Sequence, residues 1–312
     1  MKIMFMGTPD FAVECLKSLY NAGHDICSVI TTPDKPRGRG HKMCPTPVCD
    51  YAQSLGINVY KPLNLKKDNF EGILLNEAPE LIVVVAYGRI LPPYVLEYPE
   101  YGCINVHASL LPKYRGAAPI QRSVIDGEKI TGVTTMYMAE GLDTGDMLLK
   151  SEVEILPDDN FETVHDKLAS LGADLIVETL IKLQKGEIVP EKQDDSLSCY
   201  AHMITKETAL INWSDSANDI HNRVRGLYPV PKAFTFIDGK MLKICVTALC
   251  DKNTNEPSGK IISVEKDAFY VACGGGSVIK VVAIQAEGKK VMPVSDYLKG
   301  NSIECGKILS NQ

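Results

Sequence analysis

Two short segments of this chain carry residues able to do chemistry together. The first, Ile104-Asn105-Val106-His107-Ala108-Ser109-Leu110-Leu111-Pro112-Lys113-Tyr114-Arg115-Gly116, sets an amide and an imidazole two residues apart. Side chains at i and i+2 of a strand share a face, so Asn105 and His107 are predicted to project together. The second, Ala139-Glu140-Gly141-Leu142-Asp143-Thr144-Gly145-Asp146, frames an acid between two glycines. An amide can donate a hydrogen bond to an oxygen that gains negative charge. An imidazole, which ordinarily titrates near neutrality, can give or take a proton, and a carboxylate can orient it. The three groups suit acyl transfer. No serine or cysteine beside them makes a convincing nucleophile, which favours direct attack by an external amine over a covalent enzyme intermediate.

Each part has an ordinary reading as well. N-x-H triplets are common, and His107 fits a hydrogen-bonded core histidine. Asp143-Thr144-Gly145 matches the D-T-G of aspartic proteases, but that chemistry needs a second copy or a dimer partner and a different strand pattern. Asp146 competes with Asp143, because sequence does not order positions within a loop.

The elements that must position these residues alternate between strand and helix. Lys2–Met6 reads as a buried strand, Gly7-Thr8-Pro9-Asp10 as a turn and helix start, and Phe11–Asn21 as a helix with Phe11, Val13, Leu16 and Leu19 near helical spacing. Further strands are predicted at Asp25–Thr31, Asn58–Tyr60, Leu81–Ala86, Cys103–Ala108 and Gly132–Met138, with a long amphipathic helix at Phe161–Leu183. The unbroken apolar run Leu81–Ala86 suits a central strand buried on both faces. The alternation predicts an α/β, Rossmann-like, open and mainly parallel sheet. Ligands of such sheets bind outside the carboxyl ends of the strands, where the ends of two parallel strands would bring Asp143 to His107. The first turn lacks G-x-G-x-x-G spacing, Pro9 removes an amide donor, and Asp10 puts negative charge where a pyrophosphate would sit. NAD and NADP are therefore not expected; Asp10 is read as a helix cap or a cleft-rim residue.

The texture changes near residue 190. Residues 190–205, opening with Pro190-Glu191-Lys192-Gln193-Asp194-Asp195, read as a linker. A short helix at Ala217–Arg225 follows, then strand-length segments Ala233–Ile237, Met241–Leu249, Gly259–Val264, Ala268–Ala272 and Val278–Ile284, with turns such as Asp238-Gly239 and Gly274-Gly275-Gly276 between them. This pattern predicts a small OB-like β-barrel over residues 206–312.

With 312 residues, 45% hydrophobic and 23% charged, the chain is long enough for two domains of a soluble globular protein. No apolar run approaches the roughly 20 residues that span a bilayer, so no membrane partner is expected. The apolar stretch at Met1–Gly7 is too short for a signal peptide, and a cytoplasmic location is expected. Ten cysteines include no C-x-x-C pair, so they read as buried thiols in a reducing compartment, and no metal is expected. A net charge of −6 disfavours a generic nucleic-acid binder. The charge is uneven, however: residues 1–205 carry about nine more acids than bases, and residues 206–312 about three more bases than acids. Within the first part, Pro33–Lys42 concentrates Lys35, Arg37, Arg39 and Lys42 against Asp34 alone. Gly38, Gly40 and the prolines discourage helix and strand, so an exposed basic loop is predicted, either able to meet phosphates or simply solvated.

The pattern N-x-H-x-S-L-L-P-x-Y-R-G at Asn105–Gly116, followed by G-L-D-T-G-D at Gly141–Asp146, resembles the folate-dependent formyltransferases. The resemblance implies transfer of a formyl group from 10-formyltetrahydrofolate to an amine, with Asn105, His107 and Asp143 as the catalytic set. It also implies a folate pocket at Ser109, Leu110, Leu111 and Pro112 together with Tyr87 and Leu91 of the segment after the central strand. Across nearly the whole chain the likeness is to the branch acting on methionyl-tRNA. It rests on Met-Gly-Thr-Pro-Asp-Phe at the start, the Pro33–Lys42 insertion, Ala209–Trp213 and Val224–Pro229. One departure is Val230, where that branch often has a tryptophan. This branch implies initiator methionyl-tRNA as partner, in translation initiation, contacted through Lys35, Arg37, Arg39 and Lys42. A formyltransferase catalytic domain over 1–189, a tRNA-binding barrel over 206–312 and a monomeric enzyme follow from it. Lys206, Arg223, Arg225, Lys243, Lys289 and Lys290 are candidate barrel contacts. A formyltransferase acting on a small amine, a hydrolase of the same folate and an idle tRNA-binding module are the competing readings.

Overall fold

The structure, a computed structural model, describes residues 1–37 and 42–311. The chain divides into two compact units, one of Met1–Pro119, Ile130–Glu154 and His165–Ala201, the other of Ile120–Lys129, Ile155–Val164 and His202–Gln312.

The strands of the first unit are, in chain order, β1 Lys2–Gly7, β2 Asp25–Ile30, β3 Lys35–Arg37, β4 Lys42–Cys44, β5 Val59–Tyr60, β6 Leu81–Val85, β7 Cys103–His107, β8 Arg115–Gly116, β9 Ile130–Tyr137, β10 Met147–Glu154 and β11 Tyr200–Ala201. Seven of them form one sheet in the order β10-β9-β7-β6-β1-β2-β5. From β7 to β5 all neighbours are parallel. β9 and β10 run antiparallel at the opposite edge. Leu81–Val85 is buried throughout, as its unbroken apolar run requires of a strand covered on both faces. One covering layer joins Met4, Met6, Ile82 and Val84 of the sheet to Phe70 and Leu74 of the helix Lys67–Glu77. Each such burial contributes about 1.5–3 kcal/mol. The helix Asp10–Asn21 buries Phe11, Ala12, Cys15, Leu16 and Leu19, one stripe at helical spacing. Its N-cap is Pro9; Asp10 lies in the first turn and makes no side-chain cap, so its carboxylate favours the helix through the dipole alone. At Gly7 a β-carbon would meet the Phe5 ring at 2.7 Å and Ala12 at 2.8 Å, which is why a glycine links strand to helix here.

The basic insertion departs from expectation. It contains strands, because β3 and β4 pair antiparallel with Lys35 opposite Cys44 and Arg37 opposite Lys42. Pro36 is tolerated because a two-stranded ribbon has only edge strands, where a missing donor need not break a ladder. Lys35 and Lys42 are exposed on this ribbon. Arg39, with Gly38 and Gly40, lies outside the described residues.

In the second unit β12 Ala233–Ile237, β13 Lys240–Asn253, β14 Ile261–Val264, β15 Phe269–Ala272, β16 Ser277–Ala286 and β17 Met292–Pro293 form an antiparallel sheet. Its order is β12-β13-β16-β15-β14, with β17 on β16. The segment 307–310 joins the two outer strands. Phe236 and Ser310 exchange backbone hydrogen bonds at 2.9 and 3.0 Å, the Ile261 amide donates to Lys307 and the Leu309 amide to Gly259, both at 2.8 Å. The result is a closed barrel, and closure removes the edges. Its core packs Trp213, Ile220, Val224 and Leu227 against Ile244, Phe269, Ile279 and Val281. The β12–β13 hairpin turns on Asp238 and Gly239, both at positive φ, the conformation that an Asp-Gly pair accepts. Arg223 is bonded to the Thr208 carbonyl and Asp215, and Arg225 to the Leu156 and Asp159 carbonyls and Asn222, so both serve packing within this unit. Among the described residues no helix is long and apolar enough to cross a membrane.

His221 gives this unit an acid-sensitive point. Its Nδ1 meets Thr247 Oγ1 at 2.9 Å. Burial, and then the Arg225 charge, hold its pKa below the ordinary 6.5, with Asp158 opposing. The folded state therefore binds that proton less readily than the unfolded chain. The stabilisation is complete above pH 6.5 and is lost as pH falls below it. Urea unfolding at pH 7.5 and 5.5 is expected to show a smaller stability loss in His221→Gln than in the parent; equal losses would exclude this residue as the cause.

Candidate active site

Asn105 and His107 both lie on β7, two residues apart, and are buried to 9% and 6% exposure. They share a face, as strand spacing requires. The Asn105 amide makes no hydrogen bond to any described residue. An amide with no partner among the described residues keeps its donor and acceptor free for a ligand.

The His107 ring is tied at one nitrogen. Nε2 lies 2.9 Å from the Tyr114 carbonyl. A carbonyl only accepts, so Nε2 carries hydrogen and the exchangeable position is Nδ1. Nδ1 faces Asp143 Oδ2 at 3.7 Å. The ion pair across that gap exists only when Nδ1 is protonated. Asp143 Oδ2 also accepts the Gly116 amide at 2.8 Å, which holds the carboxylate in place.

The route by which Asp143 reaches His107 differs from the two parallel strand ends expected. β9 is antiparallel to β7, with His107 opposite Thr134 and Ile104 opposite Tyr137. The chain therefore leaves β9 at the far end of β7, where the Met138 amide bonds the Cys103 carbonyl. Residues 138–146 then fold back to deliver the acid. The fold-back uses special backbone: Asp143 sits at φ 53°. A β-carbon at Gly145 would lie 1.8 Å from the Tyr137 carbonyl oxygen. Asp143, not Asp146, is the acid that faces the imidazole; the Asp146 carbonyl accepts the Tyr137 amide at the loop's base.

One support of this loop was invisible to motif reasoning. Gln193, buried to 6% exposure, donates from Nε2 to the carbonyls of Asp143 and Gly145, both at 2.8 Å. Its Oε1 accepts from Arg115 Nε at 2.9 Å, and Arg115 Nη2 reaches Asp195 at 2.7 Å. β11 pairs with β8 alongside, and the Tyr114 amide meets Cys199 Sγ at 3.2 Å. Residues 190–201, read as linker, are thus bonded into the first unit. The one signal available was a glutamine in a polar run, which nothing distinguishes from a solvated one.

The residues of the expected folate pocket are differently disposed. Ser109 is fully buried, and its hydroxyl donates to the Lys113 carbonyl at 2.7 Å, closing its own loop. Thr134 Oγ1 donates to the Ser109 carbonyl at 2.7 Å and accepts the Leu111 amide at 3.1 Å. Leu111 packs with Met136 and Met147, Pro112 follows it through a cis bond, and Leu110 is half-buried. Tyr87 and Leu91 lie in the sheet's core layer, yet the Tyr87 hydroxyl is buried without a hydrogen-bond partner. Ile90 beside them is 76% exposed. Among the described residues no group of three or more His, Cys, Asp or Glu is placed to hold a metal ion.

Comparison with known proteins finds relatives along the whole chain. Full-length relatives include the methionyl-tRNA formyltransferase of Caldanaerobacter subterraneus, 51% identical over 99% of this chain and 100% of its own length. That of Alkaliphilus oremlandii is 50% identical over 99% of both. Among solved structures, a sugar 3N-formyl transferase crystallised with dTDP and 5-N-formyl-THF superposes with a TM-score of 0.67 at 18% identity, over 93% of this chain and 99% of that one. HypX from Aquifex aeolicus with tetrahydrofolic acid gives 0.61 at 15%, over 98% of this chain and 50% of that one. At such identities these two speak for the fold alone. Residues 1–180 match the formyl transferase family and residues 203–302 the formyl transferase C-terminal domain, so the chain belongs to the formyl transferase family.

Proposed function

We propose that this enzyme transfers the formyl group of 10-formyltetrahydrofolate to the α-amine of methionyl-initiator tRNA. The observation that carries the chemistry is His107 Nδ1 facing the Asp143 carboxylate, with Asn105 on the same face of β7 and its amide bonded to no described residue. The names of the full-length relatives support the acceptor.

The donor supplies a one-carbon formyl unit bonded to nitrogen. Tyr87, Leu91 and Ser109–Pro112 are the residues proposed to hold it, and the unpartnered Tyr87 hydroxyl suits a ligand with polar ring atoms. Asn105 donates to the formyl oxygen as that oxygen gains charge. His107, fixed through Nε2, presents its proton at Nδ1 to the same region and adds positive charge there. Asp143 stabilises the imidazolium and takes part in moving the proton released by the attacking amine to the donor's N10, which leaves as its bond to the formyl carbon breaks. Asn105 and His107 are buried and Asp143 is half-buried, which limits the bulk water that would otherwise intercept the formyl group.

Residues 1–189 are proposed as the catalytic part, 190–205, of which 190–201 are bonded to that part, as the connection and 206–312 as a tRNA-binding barrel, in an enzyme acting as a monomer. Lys35, Arg37, Arg39 and Lys42 are the proposed phosphate contacts. Arg39→Ala is expected to weaken use of tRNA, leave folate binding unchanged, and lower the slope of log affinity against log salt by about one. An unchanged tRNA KM and salt slope would remove the insertion from the account. The deciding assay supplies 10-formyltetrahydrofolate with methionyl-initiator tRNA, with small amines, or with water alone. Formylation of the tRNA is expected; preferential reaction of a small amine, or hydrolysis alone, would overturn the assignment.

A further inference from the structure

We infer that Gln193 is a positioning residue for the reaction, acting through Asp143. This inference rests on the proposed role of Asp143. The backbone of Asp143 lies in the left-handed region at φ 53°, a conformation costly for a residue other than glycine. It must be held there by its surroundings. Within the loop, Gly141 and Gly145 give the freedom to bend but no force to stay bent. The holding bonds come from outside. One is the Gly116 amide on the carboxylate. The others are the two bonds from a single Gln193 amide nitrogen to the carbonyls on either side of Thr144.

The geometry demands a glutamine or its equal. Nε2 has two hydrogens and spends both on the carbonyls; Oε1 accepts from Arg115. All of the amide's polar atoms are engaged at a site with 6% exposure, so the group can neither flip nor be replaced by water without leaving a buried carbonyl unpaired. Arg115, itself 3% exposed, fixes the orientation of the amide and is anchored in turn by Asp195. Arg115 also precedes the Gly116 amide that grips the Asp143 carboxylate. One chain of contacts thus holds both the backbone and the side chain of the acid facing His107. Gln193 touches none of the three reacting side chains, so its effect would reach the chemistry only through Asp143.

This distinguishes positioning from mere packing in a measurable way. Gln193→Ala is expected to lower kcat on the order of 10- to 100-fold, with KM for the folate changed far less. Gln193→Glu is the sharper variant: a carboxylate keeps the shape and pairs with Arg115 but cannot donate to the carbonyls, so it is expected to be at least as impaired while remaining folded. The decisive measurement is a cycle with Asp143→Asn. If Gln193 acts through the acid, Gln193→Ala added to Asp143→Asn costs less than threefold more in kcat. Full multiplication of the two effects, or near-parent turnover in Gln193→Glu, would overturn the inference. Near-parent turnover in Asp143→Asn alone would instead overturn the role of Asp143, a separate outcome of the same experiment.

Discussion

Replacing His107 by alanine is expected to lower kcat about 100- to 10,000-fold while leaving tRNA binding nearly unchanged. The size follows from how the ring is held. Its Nε2 hydrogen bond to the Tyr114 carbonyl removes tautomeric freedom, and Nδ1 faces the Asp143 carboxylate across 3.7 Å. Alanine removes the mobile proton and the positive charge together, and strands Asp143 with only the Gly116 amide. Because the ring is 6% exposed, solvent cannot readily supply a substitute donor at the same place. Single-turnover formylation at saturating tRNA, with a parallel tRNA binding titration, separates the two effects. Near-normal turnover would remove His107 from the mechanism; a loss confined to tRNA binding would make it a recognition residue.

Gly145→Ala, a change of one methyl group at a residue with no functional side chain, is expected to cost at least about 100-fold in kcat. The added β-carbon would sit 1.8 Å from the Tyr137 carbonyl oxygen and 2.8 Å from its carbon. Both are backbone of β9, so the loop must move rather than the strand. Moving it breaks the Gln193 contact to the Gly145 carbonyl and releases Asp143 from its fold-back. Overpacking of this kind costs about 1–3 kcal/mol, which at this chain length lowers Tm by several degrees without unfolding the protein. The test measures kcat well below Tm, with circular dichroism as the control for folding. Turnover within threefold of the parent would show that the loop tolerates displacement and that Asp143 need not be held so closely.

These two residues also mark what the sequence made legible. The pairing of Asn105 with His107 follows from strand period alone, because a period of two leaves no other face. The central strand was equally plain, since a run of five aliphatic residues can be buried on both sides only inside a sheet. Asp143 could be named but its route could not. Hydrophobic pattern does not record strand direction, and an antiparallel edge carries the same alternation as a parallel one. Gln193 was hidden for a different reason. A polar residue earns burial through partners that are distant in sequence, Arg115 and the 143–145 carbonyls, and local composition holds no trace of them. The ribbon β3–β4 was missed because propensity weighs glycine and proline against strand, whereas two short edge strands need only a few backbone bonds to pair.

The closing segment of the barrel orders events in time. A chain is made from its amino end, and units fold as their parts become available. Every support of the candidate site described above has been made once Ala201 is joined, since β11 is its last contributor. The barrel must wait for Leu309 and Ser310, whose bonds to Gly259 and Phe236 join the two outer strands. During synthesis the first unit can therefore be whole while the second still holds β12 and β14 as open edges, unpaired until the last residues of the barrel are joined.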